Sequence, residues 1–378
     1  MQLSSRNQRT GTWSAIGLSS FMAICLSLSH PAAGGLSRAP WPTEDWPVAP
    51  PAALQLDDDR LNELVELIRD GEKFPDLHGL LVVRSGYLVL EEYFDGYDAD
   101  DLHMLQSVTK SFTSAVMGIA IEQEKIKGVD ERVLDFFDDL EGIGNIDDRK
   151  RAIRIEDLLT MRTGTDYHER GPGSPHYQLS ALSRGWTEFI LSRPMINDPG
   201  THFQYDSGGV ILMSALIKAR TGDHADALMK EHLFKPLGIE KYRWHKNAEG
   251  HLHTGGGLNL TPRDMAKFGL LYLRNGRWED KQVVPEEWVE SSIKRHVEFG
   301  PEARLTAGYG YLWWILKPDP NAEGNVDIYA AMGFRAQYIF IIPEHDMVVV
   351  VTGGTQNETD QRKPVEFLYS HILPAVKR

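Results

Sequence analysis

Cysteine is almost absent from this chain: among 378 residues the only one is Cys25. Cys25 lies in an N-terminal segment with the pattern of an export signal, so a processed chain would have no cysteine. A chain without cysteine forms neither a disulfide nor a thiolate metal site. We therefore expect a fold without disulfides and a functional site without thiolate-bound metal.

Positive charge is also scarce, because 40 Lys and Arg residues face 54 Asp and Glu residues, for a net charge of −14. Nucleic acids and anionic membrane surfaces bind proteins through clustered Lys and Arg. The charge balance argues against both as partners. With 42% hydrophobic and 25% charged residues, the composition is that of a globular protein, long enough for one large or two closely packed domains.

Three common functional motifs are missing. There is no Gly-x-Ser-x-Gly, which counts against an α/β-hydrolase. There is no His-Glu-x-x-His, and His251-Leu252-His253 has no clear third ligand, so we interpret these histidines as surface loop residues. The glycines Gly255 to Gly257 lack the Gly-Lys-Ser/Thr of a phosphate loop. The sequence therefore predicts neither a metal nor a cofactor.

The first 34 residues are predicted to be a signal peptide. Arg6 and Arg9 precede an apolar stretch from Trp13 to Leu28, and small residues follow. The apolar stretch is too short and too rich in serine for a comfortable membrane span. We expect a periplasmic or secreted protein, with an uncleaved N-terminal anchor as the alternative. The proline-rich residues 35–53 are predicted to be a linker.

Ser107-x-x-Lys110 opens an apolar run that continues to Ile121. Residues three apart lie on one face of a helix, so the lysine amine can reach the serine hydroxyl and act as its base. Burial and the helix N-terminus both favour the neutral amine that this role requires. A second Ser-x-x-Lys begins at Ser291, but there the pattern indicates a solvated surface helix. We therefore predict Ser107 as the nucleophile.

Strand patterns occur near both ends of the chain, and helical patterns lie between them. The runs 77–84 and 87–94 predict a hairpin, and the predicted C-terminal strands are 310–316, 328–332, 337–342 and 347–352. The sequence thus predicts an α+β fold. An antiparallel sheet region is formed by residues 54–106 and 304–378, a helical region by residues 107–303, and together they make one catalytic domain.

Further motifs give the chain a resemblance to a known superfamily. Besides Ser107-x-x-Lys110 they are Tyr205-Asp206-Ser207, Ile155 to Gly164, Gly255 to Leu258 and Gly308 to Trp314. Together they resemble the serine β-lactamases and penicillin-binding proteins, nearest to class C β-lactamases and their related esterases and 6-aminohexanoate-dimer hydrolases. The resemblance covers about residues 55 to 375 and implies a β-lactamase/transpeptidase-like fold.

The resemblance also implies roles for other residues. Tyr205 would transfer protons with Lys110, whose charge would make the phenol more acidic; the alternative is a core tyrosine. Ser207 would contact substrate or cap the helix that follows it. Tyr167 would contact substrate, as a tyrosine on a comparable loop does in the 6-aminohexanoate-dimer hydrolases.

The third motif of the superfamily is altered here. Related proteins carry Lys-Thr-Gly or His-Thr-Gly where this chain has Ala331-Met332-Gly333. Gly333 is retained and would allow the substrate backbone to approach the strand closely. The N–H groups of Ser107 and Phe334 would form the oxyanion hole. Loss of the basic side chain points to neutral substrates, unless Arg335 supplies the charge.

Three functions remain open at this point. The first is a secreted esterase or amidase acting on a small neutral acyl substrate. The second is a penicillin-binding D-alanyl carboxypeptidase or a β-lactamase. The third is a non-catalytic ligand-binding module on the same fold. The sequence does not determine the oligomeric state.

Overall fold

An eight-stranded antiparallel sheet is the largest element of the computed structural model, which describes residues 39–138, 141–318 and 326–377. The predicted signal peptide therefore lies outside the described residues. In chain order the described strands are β1 (Leu77–Arg84), β2 (Tyr87–Tyr93), β3 (His103–Met104), β4 (Arg243–Trp244), β5 (Leu258–Leu260), β6 (Arg277–Trp278), β7 (Lys281–Gln282), β8 (Val297–Glu298), β9 (Thr306–Tyr309), β10 (Trp314–Leu316), β11 (Tyr329–Gly333), β12 (Gln337–Ile342) and β13 (Met347–Gly353).

The strand order in this sheet is β2-β1-β13-β12-β11-β10-β9-β8. Strand β1 from the N-terminal part pairs directly with β13 from the C-terminal part, Leu80 opposite Val351 and Val83 opposite Val348. The fold is therefore the α+β one that the sequence predicts, with an antiparallel sheet built from both ends of the chain.

Both faces of the sheet are covered. Successive residues of its central strands enter two different core clusters, with Val348 and Val350 in one and Val349 and Val351 in the other. Strand side chains alternate between the faces of a sheet, so hydrophobic residues at every position require a layer on each side. One cluster continues into helices from the middle of the chain, and the other into helices near its two ends.

The helices fill these two layers. They are α1 (Asp58–Asp70), α2 (Thr109–Glu122), α3 (Asp148–Ala152), α4 (Ile155–Leu159), α5 (Pro175–Ser180), α6 (Trp186–Leu191), α7 (Ser207–Thr221), α8 (Ala225–Met229), α9 (Pro262–Leu273), α10 (Glu286–Ile293) and α11 (Lys363–Phe367). Among the described residues, no helix is both long and apolar enough to cross a membrane.

Two helix boundaries follow local signals in the sequence. Thr261 caps α9 by accepting a hydrogen bond from the Asp264 N–H at 3.2 Å, and Gly222 ends α7 with a φ of 78°. The sequence of residues 361–376 predicts a single final helix, but the structure has a series of short helical segments there. Pro374 lies in the last of these segments, where it has no backbone N–H to continue a regular helix.

Residues 39–49, which we call the N-terminal strap, are held against the domain. The Leu88 N–H donates to Pro47 O at 2.8 Å, and the Trp278 indole donates to Thr43 Oγ1 at 2.9 Å. The indole of Trp46 enters the core with 8% of its surface exposed. The described part of the predicted linker is thus packed in place, and its last residues enter a short 3₁₀ helix, Pro51–Leu54.

Candidate active site

Ser107 and Lys110 lie at the start of α2. Ser107 is in a 3₁₀ turn, Gln106–Val108, that leads directly into the helix. The Lys110 amine lies 2.8 Å from Ser107 Oγ and donates to Gly255 O at 2.6 Å. The side chain of Lys110 is buried, with 1% exposed. The structure thus brings a possible nucleophile and its base into direct contact.

Burial determines the charge of this amine. It lowers the pKa of Lys110 to about 8, while the carboxylates of Glu169 and Asp206 act in the opposite direction. At pH 8 a large fraction of the amine is therefore neutral and able to accept a proton from Ser107. An exposed lysine would be almost entirely protonated at the same pH.

Tyr205 lies beside this pair. Its ring stacks on Trp314 with centroids 5.7 Å apart, and the Lys110 amine lies 4.9 Å from its ring centroid. Burial raises the pKa of Tyr205 above its ordinary value, Glu169 raises it further, and only the Ser107 hydroxyl lowers it. The expectation of a more acidic phenol is therefore wrong. Tyr205 remains a neutral phenol, which can donate a proton.

Ser107 and Tyr205 open into a cleft of about 650 Å³, within the range of small-molecule sites. Its walls are mostly apolar, and charged side chains also contribute to the lining. The lining residues are Ser107, His168, Glu169, Arg170, Tyr205, Trp314, Met332, Gly333, Phe334, Tyr338, Glu358, Gln361 and Arg362. The cleft thus contains Gly333 and Phe334 together with the predicted nucleophile.

The approach of β11 to Ser107 depends on a glycine. Strand β10 pairs with β11 only at Tyr329 and Ala330, so Gly333 at the end of β11 has no partner in β10. A Cβ at Gly333 would lie 2.4 Å from Leu105 O. Only glycine lets the backbone at Phe334 come this close to the turn that carries Ser107.

Three predicted substrate-binding residues do not line the cleft. Tyr167 is 1% exposed, and its hydroxyl lies 3.0 Å from His176 Nδ1, so its ring is part of the packing behind the cleft. Arg335 has a φ of 65° in the turn between β11 and β12 and is not among the cleft residues. Ser207 is the first residue of α7.

The N-cap of α7 is Asp206, whose side chain accepts a hydrogen bond from the Gly209 N–H at 2.9 Å. The alternative prediction, that Ser207 is the N-cap, is therefore wrong by one position. Ser207 is buried, with 2% exposed, and its backbone N–H donates to Glu169 Oε1 at 3.0 Å.

Other cleft residues belong to none of the motifs. His168 and Glu169 come from the loop that also carries Tyr167. Glu358 and Arg362 come from the segment after β13, more than 200 residues from Ser107. No motif marks them, because folding alone brings this segment to the cleft.

The histidines near Gly255 were expected on a surface loop. His253 instead packs against Trp186 with ring centroids 5.7 Å apart, and burial lowers its pKa to about 3. It is therefore neutral at physiological pH. Across residues 39–138, 141–318 and 326–377, no group of three or more His, Cys, Asp or Glu side chains could hold a metal ion.

Comparison with known proteins agrees with this geometry. The family model described as Beta-lactamase matches residues 67–367. The chain belongs to the beta-lactamase family. This membership, together with the hydrolases to which the chain is similar, identifies it as a serine hydrolase of the beta-lactamase and penicillin-binding-protein superfamily.

One similar protein is the 6-aminohexanoate-dimer hydrolase of Paenarthrobacter ureafaciens, 27% identical over 291 residues, which cover 71% of this chain and 70% of that protein. A putative 6-aminohexanoate-dimer hydrolase from Bacillus anthracis superposes with a TM-score of 0.70 at 22% identity, covering 90% of this chain and 91% of that one. The hydrolase EstCE1, described as having promiscuous acyltransferase activity, superposes with a TM-score of 0.66 at 16% identity, covering 85% and 98%. At these identities the two solved structures support the beta-lactamase fold alone.

Proposed function

We propose that this protein is an exported hydrolase that cleaves the ester or amide bond of a small neutral acyl substrate through an acyl-enzyme on Ser107. The observation that carries the proposal is the 2.8 Å contact between Ser107 Oγ and the buried Lys110 amine, at the wall of a mostly apolar cleft. A buried lysine with a lowered pKa is the arrangement that activates a serine without a histidine.

In the proposed acylation, neutral Lys110 takes the proton of Ser107 as Oγ attacks the carbonyl carbon. The N–H groups of Ser107 and Phe334 hold the developing oxyanion. Tyr205 donates its proton to the leaving alcohol or amine and regains one from Lys110. Water then attacks the acyl-enzyme, its proton passes to the same pair, and Ser107 leaves in its original form.

The preference for neutral substrates follows from the altered third motif. Met332 occupies the cleft at the end of β11, and Ala331 beside it is buried with 1% exposed. Neither side chain can bind a carboxylate. The names of two similar proteins, a 6-aminohexanoate-dimer hydrolase and an acyl-transferring hydrolase, support an amide or ester as the scissile bond.

One observation favours the second function, a penicillin-binding carboxypeptidase or β-lactamase. Arg170 and Arg362 line the cleft, and neither has an ion-pair partner within the described part of the chain. Such arginines could bind a substrate carboxylate from a different element than the one used in related proteins.

The test compares hydrolysis of p-nitrophenyl acetate, p-nitrophenyl butyrate and nitrocefin by the wild type, Ser107→Ala and Ser291→Ala. Ser291 is the matched control, because it belongs to the second Ser-x-x-Lys, on α10. We expect ester turnover that is lost only in Ser107→Ala, with nitrocefin left intact. Nitrocefin turnover by the wild type would favour the second function instead.

Ester turnover that persists in Ser107→Ala would overturn the assignment of the nucleophile. Ligand binding without turnover in both proteins would support the non-catalytic module. Export is tested separately, by fractionating cells that express the full chain.

A further inference from the structure

The turn Phe334–Ala336, which joins β11 to β12, has an unfavourable backbone. Arg335 has a φ of 65° and Ala336 a φ of 62°. Residues with a Cβ rarely occupy this left-handed region, and two in succession are less common still. Such a conformation persists only where the surrounding structure holds it. The Phe334 N–H, proposed above as an oxyanion donor, begins this turn.

The side chain of Gln337 holds the turn through two hydrogen bonds. Its Nε2 donates to Arg335 O at 3.0 Å and to Gly353 O at 2.6 Å. Both partners are carbonyl oxygens, which only accept, so the amide must present its NH₂ group to them. These two bonds tie the turn to the end of β13.

Gln337 is buried, with 2% exposed, and its Oε1 has no hydrogen-bond partner within the described residues. A buried amide with an unpaired oxygen is unfavourable for folding. An apolar side chain would avoid that cost but would also remove the donor to Arg335 O and Gly353 O, so what the glutamine provides here is its hold on the turn.

The same residue supports Gly333. The two are paired across β11 and β12, and a Cβ at Gly333 would lie 3.2 Å from Gln337 Cβ and 2.4 Å from Leu105 O. Gly333 therefore lies between Gln337 and the turn that carries Ser107. Gln361 holds the other side of the turn, where its Oε1 accepts from the Arg335 N–H at 3.4 Å.

We propose that Gln337 is a positioning residue for the oxyanion hole. Its amide fixes the Arg335 carbonyl and so sets the direction of the Phe334 N–H relative to Ser107. The inference rests on the proposed function, because it requires an oxyanion at this place. Gln337 does not line the cleft, so its removal should weaken binding of the transition state and leave substrate binding unchanged.

The experiment compares the wild type, Gln337→Met, Gln337→Asn and Gln282→Met. Methionine keeps the length of glutamine and removes its donors, whereas asparagine keeps the donors on a shorter side chain. Gln282 is the matched control, because its Nε2 also donates to two carbonyl oxygens, Asn275 O and Val284 O, each at 2.7 Å. It lies outside the cleft residues.

Two rates are measured, and Tm reports folding. The first rate is labelling of Ser107 by a fluorophosphonate, in which Oγ displaces fluoride; it needs an oxyanion hole but no knowledge of the natural substrate. The second is turnover of p-nitrophenyl butyrate, with kcat and KM determined separately.

Loss of one oxyanion donor costs about 100-fold in kcat, so a displaced donor should cost about tenfold or more. We expect that loss in labelling and in kcat for Gln337→Met, with KM within about twofold of the wild type, a smaller loss for Gln337→Asn, and none for Gln282→Met.

Wild-type labelling and turnover in a folded Gln337→Met would overturn the role of Gln337 and leave the proposed function standing. If Gln337→Met does not fold, the comparison is made with Gln337→Asn. Labelling and turnover at the wild-type rates in Gln337→Asn would then overturn the role of Gln337. A wild type that neither labels at Ser107 nor hydrolyses esters would overturn the proposed function and this inference with it.

Discussion

The proposed chemistry at Ser107 depends on the charge of a single amine. Burial lowers the pKa of Lys110 to about 8, and only the neutral amine accepts a proton. Below that pH the amine is protonated, so kcat/KM for p-nitrophenyl butyrate should rise with pH up to about 8 and level off above it. Lys110→Arg should be inactive at every pH, because a guanidinium stays charged. A wild-type profile without this rise would contradict the role of Lys110.

Glu169 opposes the effect of burial on Lys110, since its carboxylate raises the pKa of the amine. Glu169→Gln should therefore lower the pKa of Lys110 further and move the rise in the kcat/KM profile to lower pH. Glu358→Gln is the matched control, because Glu358 lines the same cleft but does not affect the pKa of Lys110. A shift in the control as large as that in Glu169→Gln would point to a general effect of cleft charge.

Helix α2, which carries Lys110, is held in place by close packing at Gly118. A Cβ at Gly118 would lie 2.3 Å from Trp288 Cγ on α10, and the indole is buried, with 8% exposed. Alanine favours a helix over glycine by about 1 kcal/mol, but overpacking costs about 1–3 kcal/mol. We expect overpacking to dominate, because contact with a rigid ring cannot be relieved by a small rotation.

Gly118→Ala should thus lower Tm by about 1–3 °C, measured by thermal unfolding. Gly144→Ala is the control, because the nearest atom to its added Cβ is Ser192 Cβ at 4.0 Å and its φ is not left-handed. Equal Tm values for the two variants would show that α2 and α10 are less tightly packed than the structure indicates.

The N-terminal strap contributes to the stability of the whole molecule. Trp46 enters the same core cluster as Leu81 and Val83 of β1, whereas Val48 is 74% exposed. Trp46→Ala should destabilise the fold by about 3–5 kcal/mol, because it leaves a cavity in that core. Val48→Ala should change stability by about 0.5 kcal/mol at most.

Urea denaturation of the two strap variants measures the difference. Equal midpoints would mean that the strap lies on the domain without contributing to its core. Turnover measured well below the unfolding transition should be similar in both, since the strap residues are absent from the cleft lining.

The sequence by itself determined the features that depend on neighbours in the chain. The spacing of Ser107 and Lys110 places them one turn apart, and the structure shows the contact at 2.8 Å. Thr261 before Pro262 predicts a helix start, and the strand patterns predict the sheet. These signals are reliable because a helical turn or a strand pair is specified by residues only a few positions apart.

Only the tertiary structure decided which side chains face the cleft and what charge they carry. Tyr167 and Arg335 are close in the chain to cleft residues but lie outside the cleft. Glu358 and Arg362 line the cleft because β13, the strand that precedes them, pairs with β12. The pKa of Tyr205 is raised, where its proximity to Lys110 suggested the opposite, because burial and the carboxylate of Glu169 both raise it. Burial and long-range approach result from packing between distant segments, and no local spacing contains that information.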